Sequence, residues 1–180
     1  DHAIGLSDSD IRARVGQGAS AEGAVAGLDA PLSYQPGGGD READRRLREA
    51  LTEAGGSGSS VMPPTMTKMA YLTLRGMTVA RMLDAIENLD MAETHPASTL
   101  IFHGAEASTV GQLKQERAAR GSLLETMARV GVRELPSDLA DEDHLVAACA
   151  AALAVARWHL DASEWYHPPD PPHHPYPVVC

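Results

Sequence analysis

The sequence predicts an α/β fold. Two short apolar runs, residues 24–29 and 90–94, read as strands, and each is stopped by a proline step, Ala30-Pro31 and His95-Pro96. Helical stretches separate and follow them, the alternation of a sheet covered by helices. The last of these is so rich in alanine that a flat surface such as a sheet can approach it closely.

In chain order, Ser7 is placed to cap a short helix over Asp8–Val15, with Asp8 and Asp10 suited to the positive helix end and Gly16 and Gly18 as its stop. The strand Ala24–Asp29 comes next. Asp40 to Ala54 is helical in composition, with Asp40 as the cap and a thin apolar stripe of Ala43, Leu47, Ala50 and Leu51, so one side stays in water. Residues 65–88 hold an amphipathic helix with Met69, Leu72, Met77, Ala80, Leu83 and Ile86 as its stripe and Gly76 as a bend or break. After the second strand come helices over 97–103, 110–130 and 138–160. The Pro- and His-rich arm 161–180 cannot form a regular helix, and Val178-Val179-Cys180 reads as a terminal strand. Two clear strands fall short of the three or more that a stable sheet needs, so further strands are expected.

The length of 180 residues suits a single domain with a sizeable core. Aromatics make up only 4%, so Ala, Val, Leu and Met must build that core. No apolar run approaches the roughly 20 residues a membrane span takes. Cys149 and Cys180 are too few for a disulfide framework, which favours a reducing, cytoplasmic setting. A formal charge of −10 counts against tight duplex binding, which calls for a basic surface. The arginines cluster locally, however, with Arg41, Arg45, Arg46 and Arg48 together and Lys68, Arg75 and Arg81 beyond, a face suited to a short phosphate-bearing ligand.

Three acidic positions stand out. Asp29 ends a strand, where open α/β sheets place their ligands, although taken alone it reads more readily as a turn residue bonding its own backbone. Glu93 lies inside a strand, where a core-facing carboxylate must be paired or metal-bound and a solvent-facing one needs no explanation. Asp141 and His144, three apart at the start of the last helix, are expected on one helix face, with Asp143 as a substitute; acids there also simply complement the helix dipole. The tail histidines His167, His173 and His174 lack zinc-ligand spacing. No phosphate-cradling glycine loop, nucleophile elbow or dinucleotide fingerprint is present.

Taken in order, Gly27-Leu-Asp-Ala-Pro-Leu-Ser33, Asp40-Arg-Glu-Ala-Asp-Arg-Arg-Leu-Arg48, Met62-Pro-Pro-Thr65, Leu72-Thr-Leu-Arg-Gly-Met77 and Glu93-Thr-His-Pro-Ala-Ser98 resemble one family, the predicted nucleases known as domain of unknown function 429. That family is similar in fold to ribonuclease H and the RuvC resolvases. The resemblance implies a ribonuclease H-like mixed sheet flanked by helices. It implies a divalent-metal-dependent nuclease or phosphodiesterase, or a catalytically inactive binding or scaffold protein on the same fold. Asp29, Glu93 and Asp141 are then the expected ligands of Mg²⁺ or Mn²⁺, with His144 completing the catalytic set, and Arg41, Arg45 and Arg75 meet the phosphates of a nucleic acid or nucleotide-like phosphodiester. It also implies an opening strand with a first catalytic Asp. Neither Asp1 nor Asp8 follows an apolar run, so the reading frame is expected to extend before Asp1 and the Ala24–Asp29 strand to have an unpaired edge.

Overall fold

The computed structural model describes residues 3–19 and 23–180; Asp1 lies outside them. The element order is α1 (Asp8–Gly18), β1 (Ala24–Leu28), α2 (Glu42–Glu53), α3 (Lys68–Leu83), β2 (Leu89–Thr94), α4 (Pro96–Phe102), α5 (Ala107–Gly111), α6 (Arg117–Arg129), α7 (Asp143–His159), β3 (Tyr166–His167) and β4 (Val178–Val179). The strands form one mixed sheet in the order β1-β2-β4-β3. β1, β2 and β4 run parallel and β3 is antiparallel to β4. The arm thus supplies the two strands that the first two lacked. Among the described residues, β1 pairs on one side only, with β2.

Both faces of the sheet are covered, and the alternation along β2 shows how. Ala92, with Val179 of β4, packs on Ala154 and Val155 of α7. Glu93, the next residue, points the other way, toward α2. Alanines on α7 let β1 approach closely: a Cβ on Gly27 would stand 2.7 Å from the carbonyl oxygen of Ala151. On the opposite face Leu47 and Leu51 of α2 pack with Val61 and Cys180. Helices α4 to α7 build a second apolar body, with Leu100, Leu123, Met127, Val146 and Ala150 at its centre.

Several expectations are corrected. The helix over 110–130 is two, α5 and α6, separated by a turn at residues 112–116. Arg41, not Asp40, occupies the N-cap of α2: its backbone N–H donates to the Asp44 carboxylate at 2.8 Å, while Asp40 accepts two hydrogen bonds from Arg48. Gly76 does not break α3, which runs through it without interruption. It is a contact point, since a Cβ there would lie 2.7 Å from Cβ of Ala30 and 2.9 Å from the Pro31 carbonyl. The helix expected over 138–160 begins as a 3₁₀ turn, Ser137–Asp141, and only Asp143 onward is α-helical. Asp141 and His144 therefore do not share a helix face.

Candidate functional site

β1 and β2 run side by side in register, so Leu28 pairs with Glu93 and both strands deliver their next residues to one edge of the sheet. Asp29 comes immediately after β1. The loop it opens, Ala30-Pro31-Leu32-Ser33, is held from below by the buried Glu93. Leu32 N–H donates to Glu93 Oε2 at 2.7 Å. Arg41 Nη1 donates to the same oxygen at 2.7 Å and to Ser33 Oγ at 3.0 Å, and Nη2 donates to Glu93 Oε1 at 2.5 Å. The other side of the guanidinium is taken by Asp44, which accepts from Nη2 at 2.6 Å and from Nε at 3.0 Å. Arg41 is 3% exposed and Glu93 7%. Burial pulls the Arg41 guanidinium downward, but the Glu93 charge, with the hydrogen bonds to Glu93 and Asp44, more than reverses this and the net direction is up. Glu93 is thus paired with an arginine, and both of its oxygens are in use.

Over this clamp lies a cleft of about 210 Å³ lined by Asp29, His95, Lys114, Thr94, Met62 and Leu72, with Arg41 and Glu93 in its floor. Asp29 is exposed in area and has no ion-pair partner among the described residues. Protein atoms still crowd it enough to exclude much of its hydration, and that desolvation pushes its carboxyl upward. Positive charge on His95 and His144, when protonated, and on Lys114 offsets the effect only in part. His144, at the start of α7, is thus brought to the neighbourhood of Asp29, as is His95 at the end of β2. The His95 ring is fixed as the N-cap of α4. Its Nδ1 accepts from the Ser98 N–H at 3.2 Å, which leaves the proton on Nε2 to donate to the Ser60 carbonyl, also at 3.2 Å.

The remaining expected site residues lie elsewhere. Asp141 pairs with Arg117 Nε at 2.6 Å on the surface. Arg75 pairs with Asp8, joining α3 to α1. Arg45 is exposed and donates to the Asp40 carbonyl at 3.1 Å. Among the described residues, no three His, Cys, Asp or Glu side chains stand close enough together to hold a metal ion. Arg41 occupies both oxygens of Glu93, and Asp141, in its exposed pair with Arg117, is not among the residues that line the Asp29 cleft. Asp29 alone suits a hard cation of the Mg²⁺ type, which keeps several waters and takes one or two carboxylates plus ligand phosphate rather than a full protein cage.

Fold and cleft together define a three-layer α/β protein with a polar site at the carboxyl ends of adjacent parallel strands. Residues 3–174 match the family model described as a protein of unknown function, DUF429, and the chain belongs to that family. No curated protein and no solved structure matches it. No described helix is long and apolar enough to cross a membrane.

Proposed function

We propose that this chain is a ribonuclease H-like domain whose Asp29 cleft binds and hydrolyses a phosphodiester, as a divalent-metal-dependent nuclease or phosphodiesterase. The observation that carries the reading is Asp29 itself: an open carboxylate at a strand's carboxyl end, crowded by protein and without an ion-pair partner among the described residues. Such a group gains from a cation. A Mg²⁺ or Mn²⁺ ion, when bound, would neutralise phosphate charge and activate a water. Asp29 would anchor that ion together with the ligand's phosphate. Lys114 supplies positive charge in the cleft wall, where it meets the phosphate. Glu93 and Arg41 hold the 30–33 loop, and hence Asp29, at a fixed height above the sheet, and they touch no reacting atom. His95, tied at both ring nitrogens, shapes the wall. The net charge of −10 favours a short or nucleotide-like ligand over an extended duplex.

A second reading, a binding or scaffold domain without turnover, is favoured by one observation: the carboxylate of Glu93 is closed off by Arg41. A cleavage screen with Mn²⁺ over single strands, duplexes, hybrids and branched junctions separates the two. The hydrolase reading expects metal-dependent cleavage that falls about 10²-fold or more in Asp29→Asn. Binding of one of these ligands with no cleavage by the wild type would establish the second reading instead.

A further inference from the structure

On the far side of the Arg41–Glu93 pair, between α2 and the C-terminal arm, lies a larger cleft of about 400 Å³. Three arginines line it, Arg41, Arg45 and Arg46, with two imidazoles from the arm, His167 and His174, against the carboxylates of Glu42 and Asp170. Arg41 is already held by Glu93 and Asp44, so Arg45 and Arg46 are the guanidiniums that this cleft offers to a ligand, in a chain of net charge −10. We propose that this cleft is a phosphate-binding site, formed by Arg45, Arg46, His167 and His174 and distinct from the Asp29 cleft.

Neighbouring groups hold both imidazoles of the cleft in place. His174 Nδ1 lies 2.8 Å from Ser33 Oγ, the oxygen that already accepts from Arg41 Nη1 at 3.0 Å. The Ser33 hydroxyl has one proton and two lone pairs, so with Arg41 donating to it, it still has both a donor and an acceptor to offer the His174 ring. Ser33, 6% exposed, fixes the orientation of the His174 ring. His167 is held flat by stacking on Trp165, with centroids 6.2 Å apart and planes 13° from parallel. Among the described residues Arg45 gives one hydrogen bond, to the Asp40 carbonyl, and keeps its other donors. Arg46 pairs with Glu42 at 2.6 Å, and both side chains are more than half exposed. Such a pair is weak, so a phosphate readily takes the guanidinium over, with bidentate geometry.

Titration supports the same picture. His167 is pushed down by burial and by Arg46, Arg41 and His174, against Glu42. His174 is pushed down by burial and by Arg41 and His173, against Asp170 and Asp44. An anion in the cleft reverses these effects, so binding takes up protons and tightens as pH falls below the ordinary imidazole value.

The test is a ¹H–¹⁵N imidazole spectrum of the whole chain, titrated with inorganic phosphate, phenyl phosphate and dimethyl phosphate at pH 7 and pH 6. The His167 and His174 signals should shift together and saturate, with tighter binding at the lower pH. Arg46→Ala should weaken binding about tenfold, the loss of one charge-assisted contact, and Asp29→Asn should leave it unchanged. Preference for the two monoanion-or-dianion probes assigns the site to a free or terminal phosphate, and equal binding of dimethyl phosphate to a backbone phosphodiester. The proposal is overturned if none of the three probes shifts His167 and His174, if Arg46→Ala has no effect, or if the probes shift only His95 and His144. The last result would leave the Asp29 reading standing without this one.

Discussion

Removing the Glu93 carboxylate should destabilise the fold more than it alters any surface property. In Glu93→Ala, Arg41 loses both of its bonds to Glu93, and the Leu32 N–H loses its acceptor. Breaking a buried ion pair costs about 3–5 kcal/mol. Asp44 still faces the guanidinium, so the lower end applies, about 3 kcal/mol. The orphaned Leu32 N–H adds about 1 kcal/mol. The sum of about 4 kcal/mol corresponds to a Tm lowered by roughly 8–16 °C for a chain of this length. Glu93→Gln, which keeps an acceptor for Leu32, should lose about half as much. Urea unfolding of both variants, and of Glu93→Leu, Arg41→Leu and Arg41→Leu/Glu93→Leu as a closed cycle, measures the pair directly. The double variant should be less destabilised than the sum of Arg41→Leu and Glu93→Leu by about 2 kcal/mol or more, because it removes both charges of the pair together, while the buried Asp44 loses its arginine equally in both variants that lack Arg41. Strictly additive losses, or a Glu93→Ala cost below about 1 kcal/mol, would refute the clamp.

Further outcomes rest on the same geometry. Asp29→Asn should raise stability at neutral pH: the folded carboxyl is pushed up from 3.8, so the ionised form costs the fold stability above that raised value, and the gain should fade as pH falls toward 3.8, as thermal melts across pH will show. Asp141→Asn, altering an exposed pair with Arg117, should change unfolding free energy by no more than about 0.5 kcal/mol. Gly76→Ala should cost about 1–3 kcal/mol in denaturant, because its methyl group would press on Ala30 and the Pro31 carbonyl. Cys180, fully buried with its thiol pushed up to about 12, should resist alkylation in the native protein and react on unfolding, as mass spectrometry will record.

Much of the layer plan is legible in the sequence. The apolar runs ending at Asp29 and Glu93-Thr94 form adjacent parallel strands, and the alanines of the last helix do admit a sheet at close range. The arm's two short strands are only half visible, because Tyr166-His167 is too brief to show alternation. At the site, Asp29 is placed by its strand end. The partner of Glu93 is not foreseeable from spacing, since Arg41 lies 52 residues away and looks like any arginine on a solvated helix. Asp141 falls away from the site because a 3₁₀ turn interrupts the continuous helix that composition suggests. His95 does carry a signal: it is two residues beyond Glu93, and the period of a strand puts both on the same side. Lys114, in the turn between α5 and α6, carries none.

The central claim is that Asp29, and neither Glu93 nor Asp141, anchors a divalent cation in the cleft. Isothermal titration of Mn²⁺ into the wild type, Asp29→Asn and Asp141→Asn, each with a dinucleotide phosphodiester present, tests it most directly. Saturable binding to the wild type and to Asp141→Asn is expected, with its loss in Asp29→Asn. Equal binding by Asp29→Asn, or no binding by the wild type, would contradict it.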